Sequence, residues 1–163
     1  MPRVAAALLL LALAACGFQL RGAASTGLKT LYLSTAAPSQ VAVEVRRQLS
    51  GGATKLVSDA KDGEVHLRIL SDHTEKLIQT LTGAGRVFDY QLRLKVGFQV
   101  TNAAEKAIVE PAEIELRRVI TYSTSAPLAK EAEELLLFDE MRVEAAGRIL
   151  RRIAVAHART TPP

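Results

Sequence analysis

The feature that most restricts the fold of this chain is a run of strict alternation in its middle. Phe88, Tyr90, Leu92, Leu94, Val96, Phe98 and Val100 are apolar, while Asp89, Gln91, Arg93, Lys95, Gly97 and Gln99 between them are polar or small. Successive side chains of a strand point to opposite faces, so the pattern predicts a long β-strand with Phe88 through Val100 turned inward. A strand buried on both faces would be apolar throughout. The sheet is therefore expected to be covered on one side and wet on the other.

The flanking segments extend this picture. Leu28 to Leu33 is a short apolar run, read as a first strand. Val65, Leu67 and Ile69 alternate with His66 and Arg68, which starts a strand that continues irregularly to Leu81. Gly83-Ala84-Gly85 lies between two strands, not ahead of a helix, and so reads as a hairpin turn instead of a phosphate-cradling loop. After a turn from Thr101 to Lys106, Ala112, Ile114 and Leu116 alternate with Glu113, Glu115 and Arg117, and Ile120 and Tyr122 resume the apolar face. Arg118 interrupts that face; an inward arginine at a strand end snorkels or pairs with a carboxylate.

Two segments carry helical spacing instead. Val41, Val45 and Leu49 mark a helix within Pro38 to Ser50, ended by Gly51-Gly52. Phe138, Met141, Ala145, Ile149 and Ile153 form one face of a long helix from Lys130 to about residue 157. Arg142, Arg148, Arg151 and Arg152 fall late in it, where they suit the negative end of the helix dipole. The expected architecture is an α+β fold of order β-α-β-β-β-α: a mixed four-stranded sheet with two helices packed on one face. It forms a single domain over residues 28–158, with a frayed end at 159–163.

With 163 residues, 48% of them hydrophobic, one domain can bury roughly two thirds of its unfolded surface without a metal or a disulfide. Aromatics are 4% and Trp is absent, so the core must be aliphatic. A net charge of +4 speaks for solubility and does not point to a nucleic-acid partner. No catalytic constellation is present. His66 and His73, seven positions apart, are expected on opposite faces of a strand, His157 lies near the terminus, and HExxH, CxxC and GxSxG do not occur. Neither an enzyme nor a cofactor is expected.

The N-terminus has a separate logic. Met1-Pro2-Arg3 is a basic start, Val4 to Leu13 is unbroken apolar sequence, and Leu13-Ala14-Ala15-Cys16 follows. A charged head, a short apolar run and small residues describe a secretory signal peptide, residues 1–15. The run is too short for a bilayer, which takes about 20 residues. Leu-Ala-Ala-Cys resembles the bacterial lipobox, in which the sulfur of the cysteine, here Cys16, is acylated through its nucleophilic thiolate and the amino group carries a further chain, typically palmitate. Residues 16–27, with Gly17, Gly22 and Gly27, are the expected lipidated tether. In enteric bacteria an Asp after the lipidated Cys marks inner-membrane retention, so Gly17 is compatible with the outer membrane.

Three stretches resemble the LptE family of lipopolysaccharide-assembly lipoproteins. Cys16-Gly17-Phe18-Gln19-Leu20-Arg21-Gly22 is similar to the family's opening, Phe88-Asp89-Tyr90-Gln91-Leu92 to the start of its central strand, and Leu128-Ala129-Lys130-Glu131-Ala132-Glu133 to the start of its second helix. Their order holds along essentially the whole mature chain. The resemblance implies a lipid-anchored protein of the outer membrane, on the periplasmic side and within the lumen of the LptD barrel, which it plugs and helps to assemble. It also implies contact with lipopolysaccharide, whose phosphates and carboxylates call for Arg and Lys. Lys130 falls on the family's matching lysine, and Arg86 lies in the corresponding hairpin; both are candidate lipopolysaccharide-binding residues. Arg118 matches a family arginine, for which a structural ion pair is expected. The competing reading is a lipoprotein subunit of another envelope lipid-transport system, such as an ABC-transporter auxiliary lipoprotein. Co-purification with an outer-membrane barrel or with an inner-membrane transporter separates the two.

Overall fold

A computed structural model describes residues 27–123 and 125–160 of the chain. The expected signal peptide, Cys16, the tether ahead of Gly27 and residues 161–163 lie outside the described residues. The elements are β1 (Thr30–Thr35), α1 (Gln40–Leu49), β2 (Lys55–Val57), a 3-10 turn (Ala60–Asp62), β3 (Val65–Leu81), β4 (Val87–Asn102), β5 (Ala107–Thr121) and α2 (Pro127–Thr160). The strands form one five-stranded sheet in the order β2-β1-β3-β4-β5. β1 runs parallel to β2 and to β3, and the remaining pairs are antiparallel.

The α+β class and the two helices match the sequence reading, but the sheet has five strands, not four. The added strand, β2, is only Lys55-Leu56-Val57. So short a segment has no period to read; pairing with β1, sealed where Lys55 N–H donates to the Lys29 carbonyl at 2.9 Å, makes it a strand. α2 also runs longer than expected. Arg159 and Thr160, placed at a frayed end by the sequence, are its last helical residues.

α1 starts at a cap its sequence supplies. Ser39 Oγ accepts from Ala42 N–H at 3.0 Å, and Asp72 of β3 accepts from both Ser39 Oγ at 2.7 Å and Val41 N–H at 3.0 Å. The carboxylate thus ties the helix start to the sheet. Pro127 opens α2, where its missing N–H costs nothing. Phe138, Met141, Ala145, Ile149 and Ile153 are all buried, as are Ala146 and Leu150 beside them. They meet Leu92, Leu94, Val96, Phe98 and Val100 of β4, each fully buried, in one core that also takes Val41, Val45 and Leu49. Full burial of such a side chain contributes roughly 1.5–3 kcal/mol.

Two expectations about facing fail at irregularities of the β3–β4 ladder. Ile69 pairs with Phe98 but Ser71 pairs with Gly97, so Leu70 is an extra residue in β3. The bulge inverts the alternation beyond it. His66 lies opposite Thr101 and His73 opposite Lys95, which puts the two histidines on the same open face, not on opposite faces. Phe88, expected inward, is 51% exposed. It falls where the pairing slips between Thr80–Asp89 and Leu81–Val87, at an end of the hairpin that the helices do not cover.

The open face is polar and cross-braced. Arg93 of β4 lies 3.3 Å from Glu75 of β3 and 3.3 Å from Glu115 of β5. Arg117 reaches the same Glu115 at 2.8 Å, and its hydrogen bond holds the Glu115 carboxyl below the ordinary carboxylate range. Among the described residues no helix is long and apolar enough to cross a membrane.

Candidate functional site

The sequence-predicted basic residues stand at the uncovered end of the molecule. Lys130 sits in the first turn of α2, with its N–H donating to the Ala126 carbonyl at 3.2 Å. Its ammonium meets Glu133 at 2.8 Å, and the side chain is 28% exposed. It lines a small cavity of about 90 Å³ together with Lys76, Tyr90, Tyr122, Pro127 and Glu134. Arg86 is elsewhere. It closes the β3–β4 turn, where Thr82 N–H donates to its carbonyl at 2.7 Å and its own N–H donates to Thr82 Oγ1 at 3.1 Å. Gly85, at φ +73°, permits that turn. The Arg86 side chain is exposed, has no carboxylate partner among the described residues, and is not in the cavity wall. The fold therefore places one candidate in a recess and the other at the tip of an exposed hairpin.

Lys76, Tyr90 and Tyr122 line the recess but are not legible as site residues in the sequence. Lys76 lies opposite Leu92 and so on the helix-covered face, although it follows two bulge-free positions of mixed character in the sequence. Only the inversion at Leu70 puts it there. Its ammonium stands 4.4 Å from the centre of the Tyr90 ring and pairs with Glu134 of α2. Tyr90 was assigned to the core, and it does pack against it, but its ring is half-buried and meets Tyr122 edge-on at 5.9 Å. Asp89 steadies this end by accepting from Thr80 Oγ1 at 2.7 Å and from Thr121 Oγ1 at 2.9 Å. The legible signal was the acidic-Tyr step itself, since a tyrosine hydroxyl seeks a wet edge.

The wall can do two things chemically. Lys76 and Lys130 present ammonium groups, each now balanced by a glutamate: the mostly covered Glu134 for Lys76 and the half-exposed Glu133 for Lys130. At the same end, Ile78, Phe88 and Leu128 are 60%, 51% and 78% exposed and add open apolar surface. Together these suit an amphiphile with anionic groups. Arg118 has a different place. It donates to Glu144 of α2 at 2.6 Å while Arg148 holds the other carboxylate oxygen at 2.6 Å, clamping β5 to the helix. The hydrogen bond from Arg118, with that from Arg148 behind it, keeps the Glu144 carboxyl below the usual carboxylate range. Among the described residues no group of three or more His, Cys, Asp or Glu is placed to hold a metal ion.

The same fold occurs in solved lipoproteins. Lipoprotein B of Nitrosomonas europaea superposes with a TM-score of 0.75 at 28% identity, covering 85% of this chain and 90% of that one. The rare lipoprotein B of Shewanella oneidensis gives a TM-score of 0.71 at 32% identity, covering 80% of this chain and 98% of that one. In sequence, the LPS-assembly lipoprotein LptE of Pectobacterium atrosepticum is 31% identical over 144 residues, 86% of this chain and 77% of that protein. The protein of that name from Yersinia pestis is 31% identical over 155 residues, 93% of this chain and 74% of that protein. The family model described as LptE, lipopolysaccharide-assembly, matches residues 28–153, from two residues ahead of β1 deep into α2. Sheet, helices and sequence agree over nearly all of the described fold, and the chain belongs to the LptE family of lipopolysaccharide-assembly lipoproteins.

Proposed function

We propose that this chain is an outer-membrane lipoprotein that plugs and helps assemble the LptD barrel and takes part in delivering lipopolysaccharide to the cell surface. Residues 1–15 are removed, Cys16 carries the lipid, and residues 16–27 tether a domain spanning 28–158. Family membership supports the assembly role. The observation that carries the ligand reading is the recess itself: Lys76 and Lys130 beside two tyrosines, fringed by exposed Ile78, Phe88 and Leu128. Lipopolysaccharide joins phosphates to acyl chains and needs both cations and apolar surface from a protein that holds it. Lys130 is the assigned phosphate contact. Arg86, at the hairpin tip, is a second contact for the more distant sugar phosphates.

Lys130→Asp in the purified full chain is expected to weaken lipopolysaccharide binding about tenfold, the loss of one charge-assisted contact. High salt narrows the difference, and the melting temperature stays unchanged because only a rim pair is lost. Unchanged binding at low salt removes Lys130 from the site. A tagged chain should co-purify with the barrel and show an acylated Cys16 by mass spectrometry. An inner-membrane transporter in place of the barrel, or an unmodified Cys16, overturns the wider reading.

A further inference from the structure

A second cleft lies at the opposite end of α2 from the recess. It runs between the last turns of α2 and the beginning of β5, with a volume of about 800 Å³, and Arg148, Arg151, Arg152 and Arg159 line it along with apolar Ile108 and Val155. Arg148 is occupied by Glu144 at 2.6 Å, and Glu115 of the same wall is occupied by Arg117 at 2.8 Å. That leaves Arg151, Arg152 and Arg159 against Glu113. Arg152 stacks its guanidinium 5.8 Å from the Phe98 ring, whereas Arg151 and Arg159 have no carboxylate partner among the described residues. The helix dipole favours arginines here but does not require a cleft with an apolar floor beneath them.

The cleft is at the end where the chain enters the fold. Lys29 N–H donates to Glu64 at 3.0 Å, and the other oxygen of Glu64 lies 3.5 Å from His157, next to Ala156 of the cleft wall. From Cys16 to Leu28 a fully extended chain reaches at most about 40 Å, so a lipid on Cys16 keeps this end close to a bilayer. We propose that the cleft binds the phosphate headgroup of an anionic phospholipid of the anchoring membrane, with Arg151 and Arg159 on the phosphate and Ile108 and Val155 against the glycerol and upper acyl carbons. Guanidinium forks match phosphate oxygens, and a basic side chain near an anionic surface contributes about 1 kcal/mol. The inference rests on the lipid-anchored reading for what brings the cleft to the membrane, and not on the lipopolysaccharide recess.

The chain contains no Trp, so Val155→Trp supplies a single fluorophore in the cleft, at a position already 53% exposed. The full lipidated chain carrying it is reconstituted into phosphatidylcholine vesicles with a minor fraction of phosphatidylglycerol, and bromine is placed on the acyl chains of one lipid or the other at equal mole fraction. Brominated phosphatidylglycerol is expected to quench at least threefold more than brominated phosphatidylcholine, and Arg151→Glu with Arg159→Glu to abolish the preference. Should the glutamate pair fail to fold, Arg151→Gln with Arg159→Gln carries the same test. Equal quenching by the two lipids, or a preference that survives the double change, overturns the proposal. So does loss of the preference on adding 1 mM inorganic phosphate, which would mark a free-phosphate site, or loss in Lys130→Asp, which would assign the effect to the other end. Failure of the chain to float with the vesicles is a separate result and sinks the anchor instead.

Discussion

β4 has two halves that read alike in sequence and behave differently in space. From Leu92 to Val100 every inward residue is fully buried beneath α1 and α2. From Val87 to Tyr90 the alternation continues, but Phe88 is exposed and Tyr90 only half-covered. β3 shows the same division: Val65, Leu67 and Ile69 are buried, and Ile78, opposite Tyr90, is open. An apolar stripe becomes core only where a second layer lies over it. Where the hairpin overhangs the helices, the same residue types become surface able to meet something else, and the basic recess is found there.

The sharpest test of that contrast uses one residue type twice. Leu94→Asp places an unpaired charge in the covered half and is expected to cost more than about 4 kcal/mol, leaving little folded protein. Phe98→Ala, in the same layer, should cost about 3–5 kcal/mol in denaturant unfolding. Phe88→Ala should cost under about 1 kcal/mol. Comparable losses at Phe88 and Phe98 would mean that the overhang is packed after all.

A middle-sized effect is expected at the β3 bulge opposite Gly97. A Cβ on Gly97 would come within 2.6 Å of Ser71 Oγ, which now accepts from Gly97 N–H at 3.1 Å. Gly97→Ala should therefore destabilise by about 1–2 kcal/mol through overpacking and loss of that bond. Adding Ser71→Ala removes the colliding atom and should recover part of the loss. Strict additivity of the two changes in a double-mutant cycle would show that the bulge is not what demands glycine.

The smallest effect concerns the clamp that fastens α2 to β5. Hydrogen bonding from Arg118 lowers the Glu144 carboxyl relative to its value in the unfolded chain. Its contribution is thus present above the ordinary carboxylate range and is lost as pH falls through the lowered folded value. Arg118→Ala should lower the melting temperature slightly at pH 7, in line with a solvent-screened pair of at most about 1 kcal/mol. The gap from wild type should close as pH falls through that lowered value and Glu144 protonates. A gap that stays constant from pH 7 to pH 3 would show that Arg118 acts through packing alone.

Much of this molecule could be read from residue order, because its determinants are local. The period of two in β4 and the spacing of three and four in α2 each name the residues that must face inward, and from Leu92 to Ile153 those faces are buried as read. Gly85 marks its turn, and Arg118 finds a carboxylate as an inward arginine must. Lys130 was legible as a position at a helix start. What lay beyond the sequence depends on partners distant along the chain. β2 exists because β1 offers it a ladder, and the shared face of His66 and His73 follows from a bulge across from Gly97. Lys76 joins Lys130 only because that bulge and the crossing of α2 bring β3 and the helix start together, 58 residues apart in sequence at the Lys76–Glu134 contact. Periodicity records which side of an element is apolar. Register shifts, edge pairing and the reach of a covering helix are set by long-range packing, and they decided which apolar residues became core and which basic residues became a site.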